Sequence, residues 1–153
     1  MSKKHLFIDL DDTLIKSIPN RILPHADYYV RYNGKIYSTF LRHDISELRG
    51  IPSVIFTASP LSYAKIHSEI LKSKGFKVQG LLHRNHLFGN PMKNVEGYLL
   101  DNSKLISNFK SRILPKVEVV ILTPIKIRDG KSQTQVTSGS KNLKSALSSI
   151  VNK

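Results

Sequence analysis

Three short apolar runs end abruptly in polar residues: HLFIDLDDT at 5–13, VIFTAS at 54–59 and YLLDNS at 98–103. Runs of this length and composition predict strands buried on both faces. Helical spacing fills the stretches between them. SPLSYAKIHSEILKSKG is the clearest, with Ser59 expected as N-cap, Pro60 at the first helical position and Gly75 past the end. Tyr63, Ile66, Ile70 and Leu71 are its expected buried stripe. FKVQGLL and KVEVVILT predict further strands, and HDISELRG, NSKLISNF and KNLKSALSSIV predict helices. Strands alternating with helices predict an α/β fold built on a parallel sheet flanked by helices. In such sheets the chemistry gathers at the carboxyl ends of the strands, where these polar residues fall.

Two segments interrupt the alternation. Asn33-Gly34 between β-rich runs predicts a hairpin over 27–41, with Val30 opposite Tyr37 and Tyr28 opposite Thr39. Residues 124–140 read as a flexible polar loop. There are no internal repeats, and the 153 residues suit one domain.

The strand ends raise an electrostatic question. The chain has 24 Lys and Arg against 11 Asp and Glu, yet Asp9, Asp11 and Asp12 crowd into four positions. Like charges this close repel and raise each other's pKa, so folding alone gives no reason to collect them. A hard divalent cation answers the question: Mg²⁺ is held by one or two carboxylates plus water and substrate phosphate. Asp9, the Asp11 region, Asp101 and Asn102 can supply that shell. An Asp carboxylate beside the ion can attack phosphorus, and a second carboxyl two residues on can protonate the departing oxygen. Thr57 can donate to a phosphoryl oxygen, and a lysine can offset charge in the transition state.

These residues carry a resemblance. FIDLDDTLI resembles the first motif of the haloacid dehalogenase (HAD) superfamily, VIFTAS its second, Lys93 in NPMKN its third and YLLDNS its fourth. VIFTASPLSYAKIHSEIL, LLHRNHLFGN and LLDNS resemble, more narrowly, the small phosphatases of the polymerase C-terminal domain (CTD), the NLI-interacting-factor type. The likeness spans residues 5–103. It implies a Rossmann-like HAD core with a small β-hairpin insertion that helps form a substrate groove. It implies a Mg²⁺-dependent phosphomonoesterase working through an aspartyl-phosphate, with a phosphoserine or phosphothreonine protein or peptide as substrate. Carried over by position, Asp9 is the nucleophile and Asp11 the general acid/base, which also gives the metal its backbone carbonyl. Thr57 and Ala58 bind phosphate, Lys93 faces it, and Asp101 and Asn102 hold or orient the metal. Arg84 is a second cation for the phosphate, and Lys77 and Lys104 are alternatives to Lys93. Asp12 is assigned no chemistry.

Charge and composition set the remaining expectations. The net charge is +13, and residues 101–153 hold 10 basic against 3 acidic residues. Such a balance suits an acidic partner or nucleic acid, so a phosphatase for nucleotides or nucleic-acid ends is the second enzymatic reading, and a binding module on the same fold the non-enzymatic one. The absence of cysteine excludes thiolate chemistry and, with no membrane-length apolar run and no secretory leader, is the basis for expecting an intracellular protein, in cytoplasm or nucleus, with no membrane partner. The divergent basic tail suits a viral or otherwise reduced member acting in a host cell. His83 and His86, with no third ligand at matching spacing, read as loop histidines rather than a metal site.

Overall fold

The structure is a computed structural model and describes residues 4–102, 107–134 and 139–151. In chain order its elements are β1 (Lys4–Ile8), β2 (Ile15–Pro19), β3 (Tyr28–Tyr32), β4 (Lys35–Leu41), β5 (Ser53–Phe56), α1 (Leu61–Ser73) and β6 (Val78–Leu82). There follow β7 (Glu96–Asp101), α2 (Ser107–Ile113), β8 (Val117–Ile121), β9 (Ile125–Arg128), β10 (Lys131–Thr134) and α3 (Leu143–Val151). Strands β6-β5-β1-β7-β8 form a parallel sheet in that order.

Neighbouring residues on each strand serve opposite faces. Ile8, Ile55 and Leu100 pack under Tyr63, Ala64 and Leu71 of α1 and Leu143, Ala146 and Leu147 of α3. Phe7, Phe56 and Leu99 pack on the other face with Ile113, Leu114 and Val117. Two-sided burial explains why the strand sequences are continuously apolar rather than alternating. In the central pair β1–β7, Gly97 has φ 155° and a Cβ there would lie 1.9 Å from the His5 carbonyl oxygen, so only glycine fits. Among the described residues no helix is long and apolar enough to cross a membrane.

Between β1 and β5 the chain builds a separate antiparallel sheet in the order β2-β4-β3. Asn33 and Gly34 turn the hairpin at φ of 51° and 73°, and the register is the expected one, Val30 opposite Tyr37 and Tyr28 opposite Thr39. Strand β2 was not expected. It starts directly after the turn that carries the acids and pairs Ile15 with Leu41. Residues 125–134, expected within a flexible loop, form a second hairpin, β9–β10. Its turn is Asp129-Gly130, both at positive φ, and its exposed face carries Lys126, Arg128, Lys131 and Gln133.

Helix α1 also departs from expectation. Pro60 is its N-cap and the helix starts at Leu61, so Ser59 does not cap it. The buried stripe is Tyr63, Ala64, His67, Ser68 and Leu71, with Ile66 and Ile70 only half-buried. The stripe thus follows the i, i+4 positions through His67, a residue that hydrophobic spacing passes over. Gly75 follows the helix at φ 95°, as expected of a C-terminal glycine.

Candidate active site

Strand β1 ends at Ile8, and the chain then folds into a tight turn. The Leu10 carbonyl accepts the amides of Thr13, Leu14 and Ile15 at 3.3, 3.0 and 3.2 Å. Asp12 takes the left-handed conformation this requires, at φ 65°, and its side chain points outward to Lys16 at 3.2 Å. The turn sends Asp9 and Asp11 in different directions. The Asp9 amide donates to Leu100 of β7 at 3.0 Å, and its Oδ2 accepts the Thr13 hydroxyl at 3.0 Å. The same hydroxyl oxygen accepts the Asn102 amide at 3.0 Å, so fully buried Thr13 ties the end of β1 to the end of β7.

Asp101, fully buried, stands in hydrogen-bonding contact with Asp9. Burial raises the Asp9 pKa well above the ordinary carboxylate range; the Asp101 charge adds to it, and the Thr13 hydrogen bond only partly offsets them. Asp11 has a different environment. Its Oδ2 accepts the Ser59 hydroxyl at 2.8 Å and its Oδ1 the Tyr63 hydroxyl at 2.8 Å. Its pKa is also raised, by burial, with the two hydroxyls pulling it down.

The end of β5 supplies the next wall. Thr57 is buried, and its hydroxyl oxygen accepts the Ser59 amide at 3.1 Å, which leaves the hydroxyl proton available to another acceptor. Ala58 is exposed. A 3-10 turn at Arg84–Phe88 docks beside it: the Arg84 amide donates to the Ser59 carbonyl at 3.0 Å and its Nε to the Ala58 carbonyl at 2.9 Å. His83 and His86 shape this turn. The His83 amide donates to His86 Nδ1 and the Asn85 amide to His83 Nδ1, at 3.1 and 3.3 Å. Their role here is to orient the segment bearing Arg84.

The structure does not bring Lys93 to this cluster. Lys93 is exposed in the segment entering β7 at Glu96, whereas Asp101 closes the same strand. Met92 is bonded to Ile113, at the end of the helix that leads into β8. Six strand residues put the two ends of β7 roughly 17–20 Å apart, beyond the reach of a lysine side chain. Lys77 enters β6 at the same far edge, bonded through its carbonyl to Ser53. Ser103 and Lys104 lie outside the described residues. Arg84 is therefore the predicted cation that stands beside Thr57.

Among the described residues no three His, Cys, Asp or Glu side chains converge as a metal cage. The residues that could hold a metal are Asp9 and Asp101 through their carboxylates and Asp11 through its main-chain carbonyl, its side-chain oxygens each already accepting a hydroxyl; Asn102 follows Asp101 with its backbone amide on Thr13. Two adjoining carboxylates would suit Mg²⁺, which keeps several waters and binds substrate phosphate. A large hollow, about 410 Å³, lies elsewhere, between the insertion and the β9–β10 hairpin; none of the candidate site residues lines it.

Two buried groups that pattern reading missed support the site from behind. Arg42, fully buried, donates through Nε to Asp44 at 2.7 Å, through Nη1 to the carbonyls of Thr13 and Thr123 at 3.3 and 2.6 Å, and through Nη2 to the Thr123 hydroxyl. Asp44 in turn accepts the Leu143 amide at the start of α3 at 3.0 Å. His67, also fully buried, faces the Tyr28 hydroxyl through Nδ1 at 2.7 Å. Burial lowers its pKa to about 4. The unfolded chain binds this proton near pH 6.5 and the folded chain only near 4, so stability is full above about 6.5 and falls as the pH drops toward 4. The loss is on the order of 3 kcal/mol. Asp9, with its raised pKa, acts in the opposite sense. The expected result is that His67→Gln removes the acid-side loss, read as the difference between variant and wild-type melting temperatures across pH 4 to 7.

No protein-family model and no curated protein matches the chain. A solved structure does: an arginine-to-alanine variant of fission yeast RNA polymerase II CTD phosphatase Fcp1, bound to beryllium fluoride. The TM-score is 0.52 and the identity 14%, covering 98% of this chain and 51% of that one, so the chain spans about half the length of the phosphatase it matches. At that identity the likeness speaks for the fold alone. The parallel sheet, its flanking helices and the inserted β-sheet therefore give this chain the same overall fold as that structure.

Proposed function

We propose that the chain is a Mg²⁺-dependent phosphomonoesterase that passes through an aspartyl-phosphate on Asp9 and acts on phosphoserine or phosphothreonine in a protein. The observation that carries this reading is the Asp9–Asp101 pair at the carboxyl ends of the two central strands, with Asp101 fully buried and Thr13 bridging the Asp9 carboxyl to the Asn102 amide. Such a pair is costly to keep ionised unless a cation joins it, which supports a metal-assisted site with Asp9 as its nucleophile. Mg²⁺, when bound, keeps Asp9 ionised and screens the phosphate dianion. Asp9 then attacks phosphorus. Asp11, whose burial favours the protonated form, gives its proton to the departing alcohol and later takes one from the water that clears the intermediate. Thr57 donates its hydroxyl proton to a phosphoryl oxygen, and Arg84 brings a positive charge to the same side.

Hydrolysis of a small aryl phosphate, with Mg²⁺ and with chelator, tests the chemistry. Turnover is expected to fall about a thousandfold without the metal, equivalent to several kcal/mol of transition-state stabilisation. Activity that is indifferent to chelator sinks the metal-dependent scheme. The +13 charge favours a second reading, a phosphatase for nucleic-acid ends. Comparing a phosphoserine peptide with a 5′-phosphorylated oligonucleotide separates the two: the reading adopted here requires the peptide to have the higher kcat/KM.

A further inference from the structure

We infer that Tyr63 is a positioning residue for Asp11, and that the inserted sheet is the socket that fixes Tyr63. The inference rests on the phosphatase reading and deepens it.

The two oxygens of Asp11 are each held by one neutral hydroxyl, Ser59 from the segment after β5 and Tyr63 from the first turn of α1. Two donors on two different oxygens stop the carboxyl from rotating. Each oxygen has a second lone pair, so the group can still carry a proton in a fixed direction. Tyr63 is itself immobilised. Its ring meets Tyr32 at 5.5 Å, Tyr37 at 6.2 Å and His67 at 4.6 Å between centroids, all edge-on. His67 is pinned by Tyr28, and the Tyr32 hydroxyl reaches Ser62 at 2.9 Å. Tyr28, Tyr32 and Tyr37 share one face of the hairpin, because 28 and 32 are an even number of residues apart and Tyr37 lies opposite Val30. That face is therefore occupied by α1. The hairpin, expected to line a substrate groove, uses these three tyrosines to brace the acid.

The chemistry sets the consequence. In the first step an Asp9 oxygen bonds phosphorus, the bond from phosphorus to the alcohol oxygen breaks, and that oxygen takes the Asp11 proton. A nitrophenolate leaves without needing the proton, whereas a serine-like alkoxide does not. A misdirected Asp11 must therefore harm alkyl esters more than aryl esters.

The experiment measures kcat/KM for phosphate monoesters graded from nitrophenyl to alkyl, for wild type, Tyr63→Phe, Ser59→Ala and, as a control outside the socket, Tyr29→Phe. Tyr63→Phe keeps the ring and is expected to steepen the leaving-group dependence, with the alkyl ester losing on the order of tenfold to a hundredfold and the nitrophenyl ester least. Ser59→Ala, which leaves the socket intact, is expected to act in the same direction and carries the test if Tyr63→Phe does not fold. Tyr29→Phe is expected to match wild type. An active wild type whose slope is shared by both variants overturns the inference alone, and so does an equal loss on every ester. A wild type inert toward the whole series defeats the phosphatase reading and this inference with it.

Discussion

Asp9→Asn is expected to abolish turnover and raise the melting temperature of the metal-free protein in the same step. The loss follows from chemistry: an amide oxygen neither bonds phosphorus productively nor helps hold Mg²⁺, so activity is expected to fall by at least about 10³-fold. The gain follows from the sign of the pKa shift. Asp9 ionises less readily in the folded chain than in the unfolded one, through burial first and the Asp101 charge second. An acid with a raised folded pKa contributes a penalty that is absent below the unfolded value and fully present above the folded one. At neutral pH without metal that penalty is in force, and the neutral amide removes it. Mg²⁺ relieves the same repulsion, so it is expected to stabilise wild type and not the variant. Thermal unfolding of both proteins, with Mg²⁺ and with chelator, checks all of this. A variant less stable than wild type in chelator refutes the account of the acid pair.

The second large effect concerns stability. Arg42→Ala is expected to cost about 3–5 kcal/mol, because it leaves Asp44 without its buried cation and strips donors from Thr13 and Thr123 together. For a domain of this size that is a drop of roughly 10 °C. Arg42→Lys is expected to recover little, since a point-like ammonium cannot reach four acceptor atoms as the fixed fork of a guanidinium does. Denaturant unfolding of both variants measures this. A loss below about 1 kcal/mol for Arg42→Ala shows that the network adds nothing beyond packing.

What the sequence discloses here is what depends on neighbours along the chain. The apolar runs ending in Asp9, Thr57 and Asp101 disclose the sheet and its reactive edge, and Asn33-Gly34 fixes a register to the residue. Contacts across long separations leave no such mark. Arg42 meets Thr123 across 81 positions and Tyr63 meets Asp11 across 52. Nothing local distinguishes that arginine from a surface one, and helical spacing correctly buries Tyr63 without disclosing its hydroxyl's partner. Lys93 illustrates a different failure. It lies close to Asp101 in sequence, but a straight strand separates them, so proximity along the chain meant distance in space. Strand β10 was hidden because KSQT is polar, and only the Asp129-Gly130 turn hinted at it.

The Asp9–Asp101 pair has a consequence over evolutionary time. Folding alone favours losing the Asp9 charge, since one substitution to a neutral residue relieves both its burial and its repulsion with Asp101. A lineage released from whatever the pair does would drift toward a sturdier and inert descendant through a single codon change. Keeping both carboxylates therefore requires continuous selection for the site, renewed against the grain of the fold that houses it.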